Sequence, residues 1–210
     1  MLAHAMHLLR DMSPHHVRFH VEPMRMDRLH VLIRLVLLGA VATVGLSSFY
    51  WLLYLAVPVV VALIVSDEGA DYYMEQDAPR VARTLQWIAG LYAYLWLLTD
   101  EMPTTQPGGP VTLEIDLRGE PTLRSAFVRV VTSLPALVVL AILSLVAMAF
   151  WVVGAISILV MRRVPLGVSD FIAMKLQYQF RLVAYHLSLV DEYPAVEGLP
   201  PHDAPHSHAT

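Results

Sequence analysis

Two stretches without a charged residue set the limits on this chain. Arg34 and Asp67 enclose thirty-two uncharged residues, and Arg129 and Arg162 enclose thirty-two more. Neither stretch holds a histidine. One helix of that length would run to about 48 Å at 1.5 Å per residue, against a hydrocarbon core about 30 Å thick. A single straight span would leave apolar surface in water or need a steep tilt. Two shorter spans per stretch are therefore expected, each near the lower end of the usual length. Gly45, Ser47 and Ser48 precede Phe49, Tyr50 and Trp51 in the first stretch, and Ser144 precedes Phe150 and Trp151 in the second. Aromatic residues favour the interface, which suits a hairpin tip at each place.

Charge placement agrees with hairpins. All fourteen Lys and Arg residues lie outside the two stretches. If each stretch folds back, every basic residue falls on one side, the cytoplasm by the positive-inside rule. Single spans would leave five, five and four basic residues on successive flanks, with no orientation signal and the two copies facing opposite sides. The chain is 57% hydrophobic and only 15% charged, where soluble domains carry about a quarter charged residues. An all-α integral membrane protein of about four transmembrane helices is expected. The formal net charge of -4 argues against nucleic acid as a partner. With no cysteine, disulfides, thiolate metal sites and thiol catalysis are excluded. Residues 1–27 lack the apolar core and small-residue cleavage site of a secretory signal, so the first stretch is expected to stay in the mature protein.

The stretches belong to a longer repeat. "LQWIAGLYAYLWLLTDEMP" (Leu85–Pro103) aligns without a gap to "LQYQFRLVAYHLSLVDEYP" (Leu176–Pro194), with nine of nineteen positions identical. Upstream of each stretch lies an alternating segment, "VRFHVE" at Val17–Glu22 and "VTLEID" at Val111–Asp116, with the period of a half-exposed strand. Each unit reads as short β-strand, membrane hairpin, polar joint, amphipathic interfacial helix and an Asp-Glu-x-Pro stop. The units are placed at residues 17–103 and 111–198. Residues 1–16 form a flexible lead, 104–110 a Gly/Pro linker, and 199–210 a disordered His/Pro tail.

In each amphipathic helix, Asp77 or Asp170 can cap the start, and Pro79 suits a first turn. Leu176, Phe180, Val183, Leu187 and Val190 recur at helical spacing, while Gln177, Gln179, Arg181, His186 and Ser188 interrupt the other face. Arg near the centre of a span costs about 2.5–3.5 kcal/mol, so this helix is expected to lie on the membrane surface or pack against the hairpins. Trp87, Tyr92 and Trp96 in the first copy, with Tyr178 and Tyr185 in the second, suit the headgroup layer.

The order of an Arg-flanked apolar run, Phe150-Trp151, "PLGVSDF" at 165–171, "RLVAY" at 181–185 and "DEYP" at 191–194 resembles the bacterial membrane family catalogued as domain of unknown function 4389. The likeness covers roughly residues 111–198. The first copy departs from it, with "DEGAD" after its run and Met102 in place of Tyr193. The resemblance implies hairpin-type membrane segments, sometimes in tandem, and a bacterial inner-membrane location; the charge placement is what puts the polar segments and both termini in the cytoplasm. It implies no activity.

Candidate chemistry is sparse. Asp100, Glu101, Asp191 and Glu192, with Tyr193, are possible cytoplasmic docking points; the plain reading is that each acidic pair leaves the membrane surface where Pro103 or Pro194 ends the helix. Nothing places a substrate beside a carboxylate dyad. Arg34 and Arg129 either snorkel to headgroup phosphates or form ion pairs with Asp100 and Asp191, tying each hairpin base to its amphipathic helix. His15, His16 and His20, and His202, His206 and His208, sit in segments without a carboxylate framework, so no metal and no cofactor is expected. The apolar stretches carry no ionisable group of the kind that lines a transport pathway. The expected class is a non-enzymatic accessory or scaffold protein that meets membrane lipids and other membrane proteins, or itself. The alternative is a small transporter or channel component acting as an oligomer.

Overall fold

The computed structural model describes residues 17–21, 26–27, 29–31, 33–37, 48–102 and 109–194. The flexible lead, most of the linker, the tail and the presumed tip of the first hairpin up to residue 47 lie outside these residues. The elements are β1 (Val17–Val21), helical residues at 29–31 and 33–37, α1 (Ser48–Glu68), α2 (Ala78–Leu95), β2 (Val111–Ile115), α3 (Leu123–Met161) and α4 (Leu166–His186).

The second apolar stretch does not fold back. α3 is one helix of 39 residues. Thr122 caps it by accepting from the Ser125 amide at 3.1 Å, while Ser125 Oγ accepts from Thr122 N at 3.0 Å, a reciprocal capping box. Pro135 and Ser144 lie inside the helix without ending it. The expected tip at Phe150–Trp151 is instead packed side-on. The Trp151 indole donates to Leu95 O at 2.9 Å, and the Phe150 ring lies 4.8 Å from that of Phe171. The length mismatch that argued for a hairpin assumed a helix upright in a bilayer. With α4 and α1 packed along it, α3 has neighbours in place of a reversal. Among the described residues, only Arg124–Met161 is a helix long and apolar enough to cross a membrane.

Both expected strands form, and they pair with each other. The antiparallel register sets Val17 opposite Ile115, Phe19 opposite Leu113 and Val21 opposite Val111. Val17, Phe19, Val111 and Leu113 point inward and are buried; Arg18, His20, Thr112 and Glu114 point outward and are exposed. Two strands alone are marginal, and these rest on helices of the opposite half: β1 on α4, and β2 on α2. Phe19 stacks on Phe180, with ring centroids 5.8 Å apart. The outer edge of β2 is closed by Gln86, whose amide donates to Val111 O at 2.7 Å and accepts from Leu113 N at 2.5 Å. That side chain supplies what a third strand would.

The result is layered. α3 and α1 lie side by side in an apolar layer, α4 and α2 form a middle layer, and the sheet lies on top. α4 is buried or half-buried from Phe171 onward. The joints differ between halves. In the second, Arg162 ends α3 in the left-handed region (φ 55°) and Pro165 starts α4. In the first, Gly69 (φ 94°) is followed by a turn at Ala70–Tyr72 and a π-helical turn at Tyr73–Asp77. Asp77 makes no side-chain cap, and Asp170 sits inside α4, so neither serves as the capping residue expected of it. Pro79 does occupy the first turn of α2.

Candidate functional site: two arginine clasps

Each half closes on a buried arginine. Arg34 is fully buried and Arg129 nearly so. The Arg34 guanidinium pairs with the Asp100 carboxylate and donates to Thr99 O at 2.5 Å. Arg129 pairs with Asp191 and donates to Tyr185 O at 2.7 Å and Val190 O at 2.8 Å. The other carboxylate oxygen accepts a backbone amide just upstream of the arginine's helix, Asp27 N for Asp100 and Glu120 N for Asp191. An aromatic ring completes each clasp: Arg34 lies 4.3 Å from the Tyr94 centroid and Arg129 4.7 Å from that of Tyr185. Of the two readings of these arginines, the ion pair describes the geometry and snorkelling does not. A buried guanidinium needs a carboxylate and carbonyls around it to offset the loss of water.

The carbonyls are presented by matching helix ends. After α2, Leu98 N donates to Ala93 O at 2.9 Å and Leu97 N to Tyr94 O at 3.3 Å, with Leu97 at φ 63°. After α4, Leu189 N donates to Ala184 O at 3.0 Å and Ser188 N to Tyr185 O at 3.1 Å, with Ser188 at φ 57°. These are Schellman turns. They swing the chain back so that Asp100 and Asp191 face the arginines. Gly119 fits beneath the second turn: a Cβ there would lie 2.0 Å from Ser188 O.

The interfacial assignment of the aromatic residues is corrected for most of them. Only Trp87 is exposed; Tyr92 is half-buried, and Trp96, Tyr178 and Tyr185 are buried. Tyr178 donates to Ala136 O at 3.2 Å, and Trp96 stacks under the Lys175 ammonium at 4.3 Å. The Tyr178 and Tyr185 hydroxyls meet protein groups, Ala136 O and Thr132 Oγ1, which lets both rings sit between layers. Glu101, Glu192 and Tyr193 stay exposed, and the Tyr193 hydroxyl donates to Thr132 O at 3.1 Å. Lys175, Tyr73 and His186 were not foreseen as buried. Burial pushes the Lys175 ammonium down to about 7 and, with the Arg129 cation, the His186 imidazole down to about 4. Burial and the Asp77 carboxylate push the Tyr73 phenol up to about 12, and its hydroxyl donates to Leu187 O at 2.6 Å. Among the described residues, no three His, Asp or Glu side chains converge on a metal position.

The clasps lie at opposite ends of α3. Arg129 is near its start, whereas Arg162 O, at its end, accepts from Met26 N at 3.2 Å beside the Asp27–Asp100 contact. Along the helix axis that separation is about 50 Å. A cavity of about 760 Å³ opens there, lined by Met26, Asp27, Asp100, Met161, Arg162 and Arg163. The expectation that hairpins bring both clasps to one end of the molecule is thus corrected: the two halves run antiparallel.

The described residues form a mostly helical chain with a two-stranded sheet, one helix of membrane-crossing length, and in each half an Arg–Asp–Tyr clasp around a buried arginine. Residues 124–196 match the model of the family described as "Domain of unknown function (DUF4389)". That match spans the clasp of the second half, including Arg129, Tyr185 and Asp191. No curated protein and no solved structure matches the chain.

Proposed function

We propose that this chain is a tandem duplication acting as a non-enzymatic membrane accessory or scaffold protein, meeting lipid through its apolar layer and partner membrane proteins through its polar one. The observation that carries this reading is the outer surface of α3. Val131, Leu134, Val138, Ile142, Leu145 and Val153 are all exposed, and no ionisable residue interrupts them between Arg129 and Arg162. Exposed apolar patches of this extent mark a membrane or protein contact. The conspicuous polar side chains support the same reading, because Arg34, Asp100, Arg129 and Asp191 are spent on holding helices together. Purification in a mild detergent that keeps bound lipid, followed by native mass spectrometry, tests the proposal. A stoichiometric foreign membrane protein is the expected outcome. A homo-oligomer with a polar axial channel, or substrate turnover lost on Asp191→Ala, would overturn it.

A further inference from the structure

We infer that the molecule lies flat in one leaflet of a phospholipid membrane, with α3 parallel to the bilayer plane and the sheet facing water. The argument begins with symmetry. Phe19 and Leu113 are the third residues of matching strands and face each other, so a local two-fold axis passes between them. The same exchange recurs outside the sheet. Arg162 O of the second half takes Met26 N of the first, and Leu187 O of the second takes the Tyr73 hydroxyl of the first. The sheet therefore sits midway between the two clasps, above the centre of α3, with α4 in between.

If α3 stood upright, that sheet would lie at the bilayer midplane. Its outward face carries Arg18, His20 and Glu114, all exposed, with the exposed Asp116–Arg118 pair just beyond. An Arg or Asp charge at mid-membrane costs about 2.5–3.5 kcal/mol on insertion scales. An upright α3 would also project well beyond a hydrocarbon core of about 30 Å. Laid flat, both difficulties vanish. A single layer of helices about 10–12 Å across fits within half of that core, about 15 Å. The exposed apolar residues of α1 (Val59, Val60 and Leu63) add to the same layer. At the ends of α3, Arg124, Arg162 and Arg163 are exposed and form no ion pair among the described residues, which suits lipid phosphate.

The chain has no cysteine, so single cysteines can be introduced without background. The full-length protein is reconstituted into vesicles of phosphatidylethanolamine and phosphatidylglycerol. Spin labels are placed at Val131, Leu145 and Val160 on α3 and at His20 and Thr112 on the sheet. Relaxation by oxygen and by a water-soluble nickel chelate gives the depth of each. The flat orientation predicts one shared depth for the three α3 sites, within the acyl region of one leaflet, and water exposure for both sheet sites. A deep Leu145 flanked by shallow Val131 and Val160 would overturn it, as would sheet labels protected from the chelate or a protein that fails to partition. These depths do not depend on any partner protein, so the result stands apart from the co-purification experiment.

Discussion

Phe19 lies opposite Leu113 across the sheet, and the two occupy the same position in their respective halves. Each strand thus packs on the helix of the other half, β1 on α4 and β2 on α2. Neither half can then bury its own core alone. Residues 111–210 expressed by themselves are expected to form a homodimer, with β2 pairing to a second β2 about Leu113. Light scattering in detergent should show two chains per particle, and a folded monomer would refute the exchange. In the full chain, Phe19→Ala should cost about 3 kcal/mol by loss of the Phe180 contact.

The two clasps differ in burial, and their energies should differ in the same order. Asp100 is 13% exposed but Asp191 is 47% exposed. Breaking a well-buried pair from one side costs about 3–5 kcal/mol, and solvent around Asp191 reduces that figure. Asp100→Asn should therefore lower the melting temperature in mild detergent more than Asp191→Asn does. Double-mutant cycles with Arg34→Met and Arg129→Met should give coupling in both halves, larger in the first. Strict additivity in both would show that the pairs contribute nothing.

Much of this arrangement was legible in the residues. The alternation at Val17–Val21 and Val111–Ile115 gave two strands, and the recurrence of Arg34, Asp100, Arg129 and Asp191 at matching places pointed to a pairing within each half. Pairing of the strands with each other was not legible, because register depends on which faces meet in space. For the second stretch, the hairpin reading failed for a physical reason. It weighed the length of 130–161 against a bilayer crossed upright, and Ser144, Phe150 and Trp151 looked like a turn by composition. α4 supplies contacts along the same helix, and Trp151 finds its hydrogen bond at Leu95 O. Burial of Tyr178 and Tyr185 was hidden likewise, since a ring with a polar tip suits an interface and a layered core equally.

The left-handed turns should respond in opposite directions to glycine. Ser188 and Leu97 both sit at positive φ, where a Cβ costs about 1–2 kcal/mol. Ser188→Gly removes that cost and a small side chain, so a gain of about 1 kcal/mol is expected. Leu97→Gly removes the same cost but also a fully buried side chain that packs against Gly154, so a net loss of about 2 kcal/mol is expected. Gly119→Ala should be worse than either in effect on the second half, because its methyl meets a backbone carbonyl that forms part of the turn. Thermal melts of the three variants check the order.

Two buried bases should make stability rise with pH in separate windows. His186 stays neutral in the fold, with its pKa lowered from 6.5 to about 4, first by burial and then by the Arg129 cation. The unfolded chain takes up a proton below pH 6.5 that the folded chain resists, so stability is full above pH 6.5 and falls as pH drops toward 4. Lys175 is lowered from 10.5 to about 7 by burial. Between those values the unfolded chain holds the extra proton, so stability climbs from pH 7 toward 10.5. The Trp96 face at 4.3 Å and Gln179 Oε1 at 2.6 Å favour the charged ammonium and should make this upper climb shallower than burial alone would set. Melting temperatures from pH 4 to 10 in detergent should show both limbs. His186→Gln should flatten the acid limb only. Lys175→Met should flatten the alkaline limb and raise the melting temperature at pH 7 by a few degrees, at roughly 2–4 °C per kcal/mol for a chain of this size. Identical pH profiles for Lys175→Met and the unmodified chain would show that the ammonium keeps its ordinary affinity for the proton in the fold.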